Sequence, residues 1–504
     1  LSVEQLAAKL DERFRLLTGG SRTALPRQQT MRALIDWSYD LLSVDEATIF
    51  RRVAVFAGGW TLDAAGEVTS DEAIQTWDVI DRLSALVDKS MVVAELSETE
   101  QRYRLLESTR QYALERLEAS GERENLRDRH ARYFLVVAQR AAEASQTTPL
   151  ALWLAPLVAE FDNFRLALDW LLTERQDVVA GAELLALLHD VFLDTSRQAE
   201  EWRWCEAALT AIGDAGAARL RARLLYMMAL ASDALGKGRA QRIELTNQAL
   251  DLFRAADDRV GIASSLALSG SLLAFHGDHD AARPILIEAL AEARKAGDRR
   301  LLARCIGLQI YTCGDDLVAK QTAIKDAVAR FRVAGDDRGV ARTLTWLAEL
   351  EFHSGEIANA MQHVNEALVL LRKRRQRAHL IVALVNSAAY HLWAGNVDKA
   401  RVAAREAIAI CREIQNSFDI PISLQHLASV AAVDGDARTA ARLAGFVDAR
   451  LPQIDEPRQQ TEQMLYDRLM ATLREQLSSD ALAGAMAEGA ALTEAEAIET
   501  GLRV

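Results

Sequence analysis

The stretch Leu344-Thr345-Trp346-Leu347-Ala348-Glu349-Leu350-Glu351-Phe352-His353-Ser354-Gly355-Glu356-Ile357-Ala358-Asn359-Ala360 decides how the chain folds. Its apolar and small residues recur at helical spacing up to a glycine, and a second helical run begins directly after it. The frame recurs along the chain. Turn glycines stand at Gly236, Gly277, Gly314, Gly355, Gly395 and Gly435, separated by 41, 37, 41, 40 and 40 residues. Eleven positions before five of them stand Leu225, Leu266, Leu344, Leu384 and Leu424. Seven before all six stand small residues: Ala229, Gly270, Gly307, Ala348, Ala388 and Ala428. Five after four of them stand Ala282, Ala360, Ala400 and Ala440. A near-constant step of this size marks stacked supersecondary units. A small side chain at a fixed helical position lets the neighbouring helix approach closely, so packing alone accounts for the pattern.

Bulk properties agree with a packed helical array. The chain has 504 residues, half of them hydrophobic and 26% charged, with 7 Pro and 26 Gly. That length exceeds one hydrophobic core, and that composition is not a disordered one. A net charge of -13 excludes a broad nucleic-acid surface, which needs clustered Lys and Arg. Cys205, Cys305, Cys313 and Cys411 form no CxxC pair, so reduced thiols in a cytoplasmic protein are expected. No 18-residue apolar span and no signal peptide is found, so no membrane contact is expected.

The register resembles the tetratricopeptide repeat, with each unit a helical hairpin and a longer period of about 40 residues. The unit ending at Gly314 has Ala303 where Leu is expected and reads as irregular. Polar breaks such as Asp257-Asp258-Arg259, Gly297-Asp298-Arg299 and Gly335-Asp336-Asp337-Arg338 stop one helix and offer an Asp cap to the next. Such a solenoid presents its first helices as an extended binding face. Carrying the tetratricopeptide register over places Arg223, Tyr226, Asp233, Arg304, Tyr311, Arg342, Glu349, His353, Trp393 and Gln425 on that face. Aromatic side chains mixed with Arg are the composition of contact hot spots, although about half of these positions could instead be structural.

Upstream, two helical patterns at 28–42 and 45–57 meet at Ser43, a natural N-cap, and Gly58-Gly59 stops the second. A short helix from Thr61 and a long one over 77–89 follow. Two β-type runs, 91–96 and 103–106, flank a polar turn. Three helices and a hairpin make a winged helix. The segments Arg13-Phe14-Arg15-Leu16-Leu17-Thr18-Gly19-Gly20, Ile35-Asp36-Trp37-Ser38-Tyr39-Asp40-Leu41-Leu42, Phe56-Ala57-Gly58-Gly59-Trp60 and Arg104-Leu105-Leu106-Glu107-Ser108-Thr109-Arg110-Gln111-Tyr112-Ala113 resemble the bacterial STAND-class (NB-ARC-type) ATPase transcriptional regulators. The fold class expected is therefore mainly all-α: a winged-helix domain with a small β-hairpin, then a tetratricopeptide-like α-solenoid. The resemblance implies the helical end of an upstream nucleotide-binding domain at 1–27 and the winged helix at 28–125. It implies a helical linker at 126–214, with Trp202 and Trp204 leading into the solenoid, repeats at 215–451, and capping helices at 452–504. No GxxxxGK[ST] occurs, so no cofactor is expected in this chain, and the pocket for ATP or ADP is expected upstream of residue 1.

Other candidates have bland readings beside the functional ones. The 77–89 helix could read DNA, but it is more acidic than basic. Residues 1–134 carry 18 Lys plus Arg against 23 Asp plus Glu, a balance of -5, which argues against direct DNA binding. In the family a Met-His-Asp-like motif after the hairpin touches the nucleotide; Leu105, Leu106 and Glu107 stand there, with the His absent. Glu107 is thus either a nucleotide-sensing carboxylate or an ordinary acid at a helix start. His276-Gly277-Asp278-His279 could hold zinc or simply be a repeat turn. The run Arg372-Lys373-Arg374-Arg375 with Arg377 could dock an acidic partner or end a helix in solvent. No catalytic constellation is found. The function expected is the sensor and autoregulatory arm of a signal-transduction regulator. Its groove would take a protein, peptide or small-molecule inducer, and its winged helix would contact the upstream ATPase domain. The alternatives are a stand-alone scaffold and a transcription factor using the winged helix on DNA.

Overall fold

The structure is a computed structural model that describes residues 31–96, 101–174, 177–213, 217–235, 237–373, 376–414, 416–454 and 458–504, with backbone alone at 233 and 234. The segment expected at 1–27, most of the hairpin turn, Gly236, and Arg374 and Arg375 lie outside the described residues. The chain forms two compact units, residues 1–143 with 155–187 and residues 144–154 with 188–504. The expected linker at 126–214 is therefore divided between the two.

The first unit is the winged helix. Helix α1 (Met31–Asp40) is followed by α2 (Val44–Arg52), which starts at Ser43 with a reciprocal capping box: Glu46 N donates to Ser43 Oγ and Ser43 N to Glu46 Oε2. Strand β1 (Trp60–Thr61), helix α3 (Leu62–Thr69) and helix α4 (Thr76–Asp88) come next. Strands β2 (Val93–Leu96) and β3 (Gln101–Arg104) then pair antiparallel, with Val93 opposite Arg104. The hairpin expected from the sequence has a third strand, in the order β1-β3-β2. Gly59 admits it: at φ +125° a Cβ there would stand 2.9 Å from Tyr103 O, so only glycine lets Trp60 reach β3. Helices α5 (Glu107–Ser120), α6 (Arg123–Ala144), α7 (Leu150–Ala159), α8 (Phe161–Asp169) and α9 (Val178–Leu187) follow. Phe50, Phe56, Trp60, Tyr112, Phe134 and Phe164 are fully buried in this unit. Beneath the sheet Asn163 accepts from Ala57 N (2.8 Å) and donates to Gly59 O (2.8 Å). It thus fixes the glycine turn that makes the extra strand.

The second unit is the solenoid. After α10 (His189–Asp194) and α11 (Gln198–Ile212), helices pair as α12 (Ala218–Ala234) with α13 (Arg239–Ala255), and α14 (Arg259–Phe275) with α15 (His279–Ala296). Next come α16 (Arg299–Gly307) with α17 (Leu317–Val333), and α18 (Asp337–His353) with α19 (Ile357–Lys373). The last two pairs are α20 (Arg377–Trp393) with α21 (Val397–Glu413), and α22 (Ile420–Val433) with α23 (Ala437–Arg450). The irregular unit is the one where α16 stops early and a 3-10 turn, Leu308–Tyr311, completes it. The small register positions on this frame are buried, from Ala229, Ala348, Ala388 and Ala428 to Ala282, Ala360, Ala400 and Ala440, each at 0% exposure. Gly270 shows why smallness matters, since a Cβ there would stand 2.6 Å from Leu286 Cδ2. The polar breaks do what their sequence suggests. Asp258, Asp298 and Asp336 cap α14, α16 and α18, accepting from Gly261 N, Leu301 N and Gly339 N at 2.8–3.0 Å, each worth about 1 kcal/mol.

Three further helices end the chain: α24 (Gln460–Gln476), α25 (Ser479–Ala490) and α26 (Glu494–Arg503). Helix α25 packs on α23 as the next layer of the stack, and α26 packs on α22 and α23. Helix α24 does something else: it turns back onto α20 and α22, the first helices of the last two pairs.

Candidate functional site

First helices of successive pairs touch one another, so they form the inner row of the stack, and the residues expected in the groove fall on that row. Seven of the ten fall into two clusters. In the first, Arg304 Nη1 on α16 donates to Tyr226 Oη on α12 at 3.0 Å. Arg342 on α18 lies over the Trp346 ring, 5.7 Å from its centroid. Its Nε is buried without a hydrogen-bond partner. Burial, together with the charges of Arg304 and Arg338, pushes the Arg342 guanidinium down to about 10. The same causes, burial first and then Arg342 and Arg338, push His379 on α20 down to about 3, so this imidazole is neutral. Arg338 ion-pairs with Asp190 on α10, which holds its charge against burial. Sequence reasoning missed Arg338, Trp346 and His379. Arg338 read as part of a polar break, and His379 lies outside the tetratricopeptide register positions used to choose the groove.

The second cluster is filled by the chain itself. Glu349 on α18 accepts from Asn386 Nδ2 (3.1 Å) and Tyr390 Oη (2.9 Å) on α20, and from Thr461 Oγ1 on α24. His353 Nε2 meets the same Thr461 hydroxyl at 2.9 Å. Gln425 on α22 is fully buried; its Nε2 donates to Glu462 O (2.8 Å) and its Oε1 accepts from Arg458 Nε (2.6 Å). Arg468 lies over the Trp393 ring at 5.6 Å. Glu349, His353, Trp393 and Gln425 thus all contact α24 or its lead-in, with Gln425 fully buried and Trp393 still 37% exposed. Burial and the nearby Glu349 carboxylate push Glu462 up to about 7.

The remaining candidates stand apart. Arg223 on α12 is exposed, and Tyr311 stacks on His279 with centroids 6.1 Å apart. The Asp233 side chain lies outside the described residues. Glu107 is the exposed first residue of α5. Asp278 caps α15 by accepting from Ala281 N at 3.2 Å. Among the described residues no group of three or more His, Cys, Asp and Glu is placed to hold a metal ion. Arg372 at the end of α19 and Arg377 at the start of α20 pair with Glu406 and Glu413 of α21. On α4 Arg82 pairs with Asp45 at 3.2 Å, and Lys89 at its C-cap pairs with Glu46 at 2.7 Å, while Trp77 is 71% exposed. A cleft of about 480 Å³ opens elsewhere, lined by Cys411, Asn416, Ile420 and Ile498, and its acids Glu494 and Glu499 are paired with Arg450 and Arg503. No helix among the described residues is long and apolar enough to cross a membrane.

A winged helix-turn-helix domain followed by tetratricopeptide-like helical repeats is the class that this fold defines. The family described as a winged helix-turn-helix domain matches residues 42–118, and that of anaphase-promoting complex subunit 5 matches residues 353–431. A Mycobacterium tuberculosis protein named as an HTH-type transcriptional regulator is 33% identical over 381 residues, 72% of this chain and 41% of that protein. The regulatory protein AfsR of Streptomyces griseus is 27% identical over 475 residues, 82% of this chain and 47% of AfsR. A STAND protein with a tetratricopeptide repeat sensor from Pyrococcus horikoshii superposes with a TM-score of 0.45 at 14% identity, over 92% of this chain and 72% of that one. The chain is thus a winged-helix and helical-repeat relative of HTH-type, AfsR-like transcriptional regulators. It spans less than half the length of these curated relatives.

Proposed function

We propose that this chain is the sensing arm of a cytoplasmic, STAND-type transcriptional regulator. It has no chemistry of its own and binds a protein, peptide or small ligand on the first-helix face. The observation that carries this reading is the division of that face. One half is occupied by the chain's own α24, and the other presents Tyr226, Arg304, Arg342 and Trp346 with a buried guanidinium nitrogen unpartnered. A ligand there shifts an equilibrium only through differential affinity for two packings, and the winged helix is the element that passes the shift on. Its α4 acts by packing and not by reading DNA, because Arg82 and the C-cap residue Lys89 are both paired with acids of α2. ATP or ADP belongs to a neighbouring nucleotide-binding domain, with Glu107 at the position nearest that role. The support from relatives is their naming as transcriptional regulators.

The test is a transcript profile of the native host with the gene deleted, then complemented by the wild type or by Arg342→Gln. A set of transcripts is expected to change on deletion, to return with the wild type and to stay changed with the variant. An unchanged profile on deletion would overturn the reading.

A further inference from the structure

Resting on the groove reading above, we infer that the open half of the first-helix face is a binding site for a small organic anion, whose carboxylate or phosphate head is held by Arg304 and Arg342 and whose flat apolar body lies on Trp346. Three guanidinium groups, from α16 and α18, converge here. Arg338 is matched by Asp190, and Arg304 has only the neutral Tyr226 hydroxyl. Among the described residues Arg342 has the face of Trp346 and no hydrogen-bond acceptor. The described acids near these guanidiniums have other partners: Asp336 caps α18 through Gly339 N at 2.9 Å, and Asp194 accepts from Gln376 Nε2 at 2.9 Å.

Holding a half-buried guanidinium beside two others without an acceptor is strongly unfavourable, and an oxyanion removes that penalty. The fork of N–H donors on Arg suits a two-oxygen head, and Tyr226 Oη, already bonded to Arg304, adds a hydroxyl beside it. Neutral His379 can donate through one ring nitrogen without adding repulsion. The size of the ligand follows from the boundaries. Helix α24 closes the face from Glu349 to Trp393. The stretch around Leu150, whose N–H bonds Gly335 O at 3.1 Å, together with Asp190 of α10, lines the side next to the start of α18. A small molecule fits such a bounded site better than an extended chain does.

The experiment titrates the full chain with inorganic pyrophosphate and, separately, with citrate. Calorimetry and tryptophan emission are read at fixed ionic strength against chloride, for the wild type, Arg342→Gln, Arg342→Lys, Arg304→Gln and the outer-face control Arg438→Gln. At least one anion is expected to bind the wild type and the control equally, at least tenfold more weakly in Arg342→Gln and Arg304→Gln, and with intermediate affinity in Arg342→Lys. The tighter anion names the head group. Binding of neither anion beyond chloride, or binding unchanged in Arg342→Gln, overturns the site. A null titration alongside a transcript profile that still depends on Arg342 sinks this site and leaves the groove reading standing. Anion binding alongside an unaltered profile does the reverse.

Discussion

Gly445→Val is expected to destabilise the C-terminal end of the solenoid by roughly 3 kcal/mol or more, the upper range for overpacking. The reason is a crossing so close that backbone meets backbone. A Cβ on Gly445 of α23 would stand 2.1 Å from Met486 O of α25, and one on Gly489 of α25 would stand 1.9 Å from Arg442 O of α23. Contacts with a flexible side chain can relax by a rotamer change. A carbonyl inside a helix, by contrast, cannot move without shifting the helix. Propensity alone predicts the opposite sign, because removing glycine from a helix interior normally stabilises it by up to about 1 kcal/mol. Gly484→Ala on α25, where nothing lies within 4 Å, is the control and should be neutral or stabilising. Urea unfolding followed by circular dichroism separates the two. A Gly445→Val midpoint at or above wild type would mean that α25 does not pack on α23 in this way.

The second large effect depends on pH and reports on α24. Glu462 is almost fully buried and sits near Glu349, and its carboxyl is pushed up to about 7, mainly by burial, from an ordinary value near 4.5. Between those values the folded chain holds a proton that the unfolded chain has released, so stability falls as pH rises through this window. The full effect is on the order of 3 kcal/mol, because each tenfold change in proton affinity between the folded and unfolded chain is worth about 1.4 kcal/mol. The sign is opposite for the buried imidazoles. His130 and His426 are both pushed down to about 4, chiefly by burial, so they are neutral in the folded chain and lose stability as pH falls below their ordinary 6.5. Glu462→Gln isolates the carboxyl from them. The variant is expected to be more stable than the wild type at pH 8, with the advantage shrinking toward zero near pH 4.5, in thermal unfolding measured across that range. A constant difference at all pH values would place Glu462 in solvent.

How much of this was legible in the sequence depended on the distance over which each contact acts. The period near 40 residues reports the nesting of adjacent helices, and the small residues it singled out are the ones buried between them, as at Ala348 and Ala388. The shortened α16 was visible as Ala303 in place of Leu. Tyr226 and Arg304, 78 positions apart, meet because equal register puts residues of neighbouring first helices on one face. Register says nothing about a segment outside the repeat. Glu349 and Thr461, 112 positions apart, are joined by α24 folding back, so four expected groove residues turned out to face the chain itself. The third strand was missed for a related reason. Trp60-Thr61 is too short to carry an alternating pattern, and it exists only because Gly59 and Asn163 place it against β3. The charges were legible as charges, but their partners were not. The acidic balance of 77–89 already argued against DNA, but that Arg82 pairs with Asp45 and Lys89 with Glu46 could not be read from it.

Both the sensing role and the anion site depend on α24 lying across the first helices and dividing their face into a filled half and an open half. The sharpest check is a thiol cross-link: His353→Cys with Thr461→Cys, in a chain whose half-buried Cys313 is replaced by Ser, joined by a short bis-maleimide because the imidazole spans a gap wider than a direct disulfide bridges. The reagent is expected to give a near-complete intramolecular cross-link at this pair, and none for Arg223→Cys with Thr461→Cys. Separately labelled thiols at both positions, in a chain that remains folded, would show that α24 does not lie there and that the face is not divided.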